Sequence, residues 1–338
     1  SQMYCLSITS RIRASKNVPA IKLKRTSSKF PRANISIIKL TITNNPTPKK
    51  PAKYNTIIAG VFLEANITDY SVVSKAIHQF LDSLEQLQQA YPDARLGAVL
   101  AFGDTAWKKL GGQSAAELKP FVTLGKGDLS APSTQTDLLV HIQSLRPDVN
   151  FSVAQAAVNA FDQAIDVQQE IHGFRWVEER DLTGFIDGTE NPKDAQRAEV
   201  ALISNGNDKD GSYVFTQRYE HNLAKWEKLN TAKQENVFGR TKTDSVEMED
   251  KADTSHVGRT DLKENGKGLK ILRQSLPYGT ASGTHGLFFI AYCATLYNIE
   301  QQLLNMFGEK DGKTDRILGF TKAVTGAYYY APSIEQLN

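Results

Sequence analysis

The chain has 338 residues, 40% of them hydrophobic and 23% charged, with a formal net charge of +3. Such values describe a globular protein with a sizeable core and exclude a disordered chain or a disulfide-stapled miniprotein. The small positive charge does not describe a nucleic-acid binder, because twelve lysines and arginines precede the first acidic residue, Glu64, and the remainder is net acidic.

In chain order, residues 1–53 read as a basic, poorly structured extension. A targeting peptide, non-native upstream sequence and a basic arm all fit it, but it has no apolar core for a secretory signal. The proline-rich run 44–51 cannot join a helix or a central strand and marks a boundary. Residues 56–63 read as a buried strand. Val73, Ile77, Phe80, Leu81, Leu84 and Leu87 recur at helical spacing within 72–87. Strands are expected at 96–102 and 137–142, an alanine-rich helix at 153–165 and a strand at 173–177. This β-α-β-β-α-β order is ferredoxin-like. The second half reads the same way, with strands at 213–218, 269–273, 286–292 and 328–330, helices at 222–229 and 299–307, and an irregular insertion at 240–265. The expected fold class is therefore α+β, two ferredoxin-like halves over 54–178 and 179–338 with antiparallel sheets and helices on the outer faces.

No run of about 18 apolar residues occurs, so no membrane span is expected. Cys5 and Cys293 belong to no Cys-x-x-Cys or Cys/His cluster, so no zinc site is expected, and a reducing, cytoplasmic setting is.

The segment Gly184-Phe185-Ile186-Asp187-Gly188-Thr189-Glu190-Asn191-Pro192 carries the strongest chemical signal. Its glycines permit positive φ and close backbone approach to a ligand, and a carboxylate on such a turn can reach a bound group. An isolated Asp-Gly is usually only a turn; the whole string is more specific.

This string resembles the G-x-x-D-G signature of dye-decolorizing heme peroxidases, and the chain is closest in pattern to their compact bacterial subgroup. Thr254-Ser255-His256-Val257-Gly258-Arg259 resembles the segment with that family's axial histidine. Leu272-Arg273-Gln274-Ser275-Leu276-Pro277-Tyr278-Gly279 resembles the segment with its distal arginine. Gly286 to Tyr292 resembles the apolar strand that lines the heme. The resemblance runs from about residue 55 to the C-terminus. It implies one heme b per chain, held in the C-terminal half. It also implies hydrogen peroxide and small organic reductants as partners, and a homo-oligomer.

The resemblance assigns His256 as the iron ligand, over His78, His141, His172, His221 and His285. His221 and His285 are the nearest rivals by position. It assigns Asp187, Arg273 and Ser275 to distal chemistry, and Ile186, Gly188, Thr189, Asn191, Arg273, Leu287 and Phe289 to cofactor contact. Splitting peroxide needs a proton carrier and a fixed charge at the leaving oxygen, which suit Asp187 and Arg273. Ser275, two residues along an expected strand, falls on the face of Arg273. Many relatives place a carboxylate after the lining strand. Thr295 stands near that place, which leaves the hydrogen-bond partner of His256 open. Two other readings fit the same residues: release of iron from heme with the porphyrin intact, and non-catalytic heme binding. The resemblance extends to relatives packaged in protein shells, but no shell-docking tail is expected after the last expected strand.

Overall fold

The computed structural model describes residues 58–112 and 114–337. The basic extension and Cys5 expected from the sequence lie outside the described residues.

The first half opens with β1 (Ala59–Ile67), every residue of which is buried except Asn66. Helix α1 (Val73–Ala90) lays Val73, Ala76, Ile77, Phe80 and Leu84 against the sheet as one stripe. Strands β2 (Gly97–Phe102) and β3 (Leu138–Ser144) are buried along their whole lengths, as strands covered on both faces must be. Helix α2 (Pro147–Phe161) starts six residues before the expected helix. Pro147 occupies its first turn, where a missing N–H costs nothing. Strand β4 (Ile165–Phe174) begins eight residues before the strand expected at 173–177. Most of its side chains are half-buried or exposed, so no apolar run announced it.

The second half holds α3 (Ala195–Ala201) and β5 (Ser212–His221). The long connection that follows carries α4 (Thr231–Phe238) and α5 (His256–Thr260). The strand expected at 269–273 pairs only at β6 (Leu272–Arg273). Strand β7 (Leu276–Gly279) was not expected, because Pro277 and Gly279 break the pattern. Then come β8 (His285–Cys293), α6 (Leu296–Met306) and β9 (Ala327–Ala331). The expected division at 178/179 falls in the connection between β4 and α3.

Both halves are ferredoxin-like, as the sequence pattern implied. The first sheet runs β4-β1-β3-β2, and the second runs β9-β5-β8 with β6 and β7 together on the far edge of β8. The two sheets then close on each other. Tyr278 of β7 pairs with Gly173 of β4, and Tyr330 of β9 pairs with Phe102 of β2. The result is a ring of antiparallel strands with an inner and an outer face. Closure also removes free sheet edges.

Alternation assigns the side chains to the two faces. On β1, Phe62 points into the ring and Val61 and Leu63 point out, into separate apolar clusters. On β8, Phe288, Ile290 and Tyr292 belong to the inner cluster. Leu287 and Phe289 lie outside it and face a pocket. Among the described residues, no helix is long and apolar enough to cross a membrane.

Candidate active site

The loop that carries Asp187 is folded by its own backbone. The Gly184 N–H donates to the Asp181 carbonyl (2.7 Å), the Asp181 N–H to the Phe185 carbonyl (2.9 Å) and the Asp187 N–H to the Glu179 carbonyl (2.9 Å). Gly184 and Gly188 have φ of 87° and 81°, values that a side chain resists. At Gly188 a Cβ would also press on the Asn191 amide at 3.2 Å. Phe185 anchors the loop by stacking on Phe238 of α4, with ring centroids 3.9 Å apart.

Asn191 then clamps this loop to β6. Its Oδ1 accepts from the Arg273 N–H and its Nδ2 donates to the Arg273 carbonyl, both at 2.8 Å. The clamp sets the Asp187 carboxylate 3.4 Å from the Arg273 guanidinium. The two side chains are only about one-fifth exposed (21% and 23%), so water screens the pair less than it would at a surface.

His256 is the first residue of α5. The Ser255 hydroxyl caps that helix by accepting from the Gly258 N–H. His256 Nδ1 lies 2.6 Å from Asp315 Oδ2. Asp315 has a fully buried side chain, and its other oxygen accepts from the Ile317 N–H at 2.9 Å. The imidazole is thus held by an oriented carboxylate, which leaves Nε2 free to face the pocket that His256 lines.

That pocket is mostly apolar. Ile186, Phe215, Phe238, Leu287, Phe289 and Leu303 line it, and Asp187, Thr189, Arg273 and His256 also open onto it. A flat, largely hydrophobic macrocycle with a metal at its centre needs this donor set: one available imidazole nitrogen, apolar flanks and a polar pair at one point. Arg240 and Lys270 are further cations at the pocket, suited to peripheral carboxylates. Arg240 is held by the Ser245 carbonyl and by Glu190. A second cavity of about 630 Å³ adjoins the first, and Asp187 and Arg273 line both. Gly188, Asn191, Ser275, Arg175, Arg180 and Arg197 line only the second.

The other histidines are accounted for. His221 lines the pocket, but both ring nitrogens are engaged, Nε2 with Asp181 (3.0 Å) and Nδ1 with Thr321 (2.7 Å). Burial would raise the Asp181 carboxyl, but His221 and Thr183 outweigh it and hold the group down at about 2. His285 bonds to carbonyls of its own turn, and His78 and His172 are exposed. His141 lies inside the ring.

One sequence expectation needs correction. Thr295 is not beside His256; its hydroxyl caps α6 and donates to Glu117. The carboxylate partner is Asp315, 59 residues along the chain from His256 and without a local motif to mark it. Ser275 lines the adjoining cavity together with Asp187 and Arg273. Its hydroxyl turns to the neighbouring strand and accepts from the Ile290 N–H at 3.2 Å. Arg240, Lys270 and Asp181 were not anticipated either. Each is a common residue type in an irregular stretch.

Comparison with known proteins agrees with this architecture. Residues 59–175 match the family model described as Dyp-type peroxidase, N-terminal, and residues 178–336 match Dyp-type peroxidase, C-terminal. The dye-decolorizing peroxidase of Rhodococcus erythropolis (strain PR4 / NBRC 100887) is 39% identical over 83% of this chain and 85% of its own. The solved dye-decolorizing protein from V. cholerae is 48% identical with a TM-score of 0.81, covering 82% of this chain and 95% of that one. A DypB variant from Rhodococcus jostii RHA1, solved in complex with heme, is 35% identical with a TM-score of 0.77, covering 83% and 94%.

Proposed function

The chain belongs to the Dyp-type peroxidase family and is a heme peroxidase, and from that premise we propose that it reduces hydrogen peroxide at one heme b per chain while oxidising small organic donors. The Leu287–Phe289 pocket would hold the heme, with His256, Asp187 and Arg273 all opening onto it. When bound, the heme would supply a redox-active iron able to take up the oxidising equivalents of peroxide.

His256 Nε2 would ligate the iron. Asp315 accepts the hydrogen bond from Nδ1–H, which fixes the tautomer and makes the imidazole a stronger donor to the metal. Arg240 and Lys270 would pair with the propionate carboxylates of the bound heme. Peroxide arrives through the adjoining cavity and meets Asp187 and Arg273 where the two spaces join. Asp187 would carry a proton from one peroxide oxygen to the other, which would leave as water. Arg273 keeps a permanent positive charge and donates to that leaving oxygen as negative charge develops. Asn191 acts on both by holding the loop and the strand in register, so the two groups need not reorganise during the reaction.

The observation that carries this reading is the Asp315–His256 pair opening onto the same apolar pocket as the Asp187–Arg273 pair. The absorption spectrum of the purified protein tests it. A Soret band is expected, and it shifts when peroxide is added. His256→Ala loses the native band, and added imidazole restores it. A native band that survives His256→Ala unchanged overturns the axial assignment. Full peroxide reactivity in both Asp187→Asn and Arg273→Leu overturns the distal one.

A further inference from the structure

Inside the ring, far from any solvent, a tyrosine hydroxyl meets an imidazole. Tyr292 Oη lies 2.7 Å from His141 Nδ1, and both residues are 0% exposed. Tyr292 belongs to β8 in the second half and His141 to β3 in the first, so the bond spans the ring. Phe62 stacks on the imidazole (4.8 Å between centroids, 11° between planes) and on Phe288 at 4.1 Å.

The proton's position follows from counting partners. His141 Nε2 has no hydrogen-bond partner. If Nδ1 carried the proton and donated to Tyr292, the phenol hydrogen and the Nε2 lone pair would both be orphaned. If Tyr292 donates to Nδ1, only the Nε2–H is orphaned. The second arrangement costs less, because it leaves one buried polar atom without a partner instead of two. The phenol therefore already points its proton at a base. Burial pushes the imidazole pKa down to about 3, so that base is neutral, and burial pushes the phenol up, so the proton does not leave by itself. An apolar interior has no packing need for such a pair, since two rings of the same shape without polar atoms would fill the space.

Position supplies the purpose. Tyr292 pairs with Leu272, and the adjacent Ala291 pairs with Arg273. On β8, Leu287 and Phe289 face the heme pocket, while Tyr292 faces the ring. The pair thus stands across one sheet layer from the distal site. Of the other buried tyrosines, Tyr329 donates to the Glu64 carboxylate at 3.1 Å, but it lies on β9 and not on the strand that lines the heme pocket. Tyr219 donates to the Gln217 amide oxygen and Tyr278 to a backbone carbonyl.

Given the peroxidase reading above, we infer that Tyr292 and His141 form a buried proton-coupled redox pair that holds one oxidising equivalent between peroxide reduction and donor oxidation. Tyr292 gives one electron to the peroxide-oxidised heme site, and its phenolic proton crosses to His141 Nδ1. A small organic donor later returns the electron, and the proton moves back to the phenol oxygen. Exclusion of water keeps the neutral tyrosyl radical from side reactions.

The test uses the heme-loaded protein, mixed with one equivalent of hydrogen peroxide without donor and frozen for electron paramagnetic resonance. A tyrosyl signal is expected in the wild type and lost in Tyr292→Phe. His141→Phe moves the radical's largest g-value upward, as loss of a hydrogen bond does, and shortens its lifetime. In wild-type protein labelled with ¹⁵N-histidine, the radical shows coupling to one imidazole nitrogen and to one exchangeable proton. This last measurement needs no variant to fold. Absence of any tyrosyl signal, its persistence in Tyr292→Phe, or absence of the nitrogen coupling overturns the pair. If peroxide fails to alter the Soret band, the peroxidase reading itself has failed; a normal optical reaction without the coupled radical fails the pair alone.

Discussion

The two halves of the ring share one strand order and differ in how the first strand connects to the second. In the first half a single 18-residue helix, α1, makes that connection and seals the outer face of the sheet with Phe80, Leu84 and their neighbours. In the second half the connection is broken into helical pieces of four, eight and five residues. The outer face there, with Phe215, Leu287 and Phe289, meets a pocket instead of a packed helix. The lesson is that this fold opens a pocket by withholding a covering helix. The short piece α5 brings His256 to the gap, and Asp315, beyond α6, braces it.

If that division of labour holds, substitutions at the gap change chemistry and substitutions under α1 change only stability. The largest effect is expected from His256→Ala, which removes the proposed iron ligand. Heme affinity falls by more than the roughly 10–100-fold that loss of a supporting partner costs, read as heme content after purification. Arg273→Leu comes next. It removes the fixed charge at the leaving oxygen and slows the reaction with peroxide by about 10²–10³-fold, by analogy with loss of one oxyanion donor. Asp187→Asn keeps the loop but cannot carry a proton, and slows the same step by about 10²-fold or more. Stopped-flow traces of the Soret change give both rates.

Much of this division was legible in the sequence, for physical reasons. Strands buried on both faces, such as 97–102 and 138–144, must be apolar throughout and so announce themselves. The glycine-bracketed string around Asp187 was legible because positive φ at Gly184 and Gly188 restricts residue choice. Asp315 was not legible. A carboxylate that meets its histidine through the tertiary fold leaves no spacing to read, and Thr295 drew attention to the wrong place. Ring closure was also hidden, because each seam rests on one residue pair, Tyr278–Gly173 and Tyr330–Phe102. Strand β4 was placed late because its residues are too polar to show a buried pattern.

Asp315→Asn sharpens the comparison further. It keeps the shape of the brace but removes the charge that draws on Nδ1–H. Heme affinity or activity falls by about 10–100-fold, and the reduction potential of the bound iron rises, measured by spectroelectrochemistry. An unchanged potential would mean that the brace only orients the ring. Asn191→Ala acts more mildly. It leaves the Arg273 N–H and carbonyl without their side-chain partners, at a stability cost of about 1–3 kcal/mol. It slows the peroxide reaction less than either distal substitution, because Asp187 and Arg273 are loosened and not removed.

The smallest effect on the site is expected from Phe80→Ala. Phe80 is 1% exposed and fills the space between α1 and the first sheet. Deleting its ring removes buried apolar surface and leaves a cavity, for a loss of about 3–5 kcal/mol in denaturant unfolding. The peroxide rate per bound heme stays at the wild-type value, because α1 packs on the half of the ring that carries neither His256 nor Arg273. The ring does offer one mechanical route between the halves, through the two single-pair seams and the cross-ring contacts of Phe62 with Phe288 and His141 with Tyr292. A peroxide rate that fell in step with stability would therefore show the sheet transmitting strain along that route, and the two halves would then have to be treated as one elastic body.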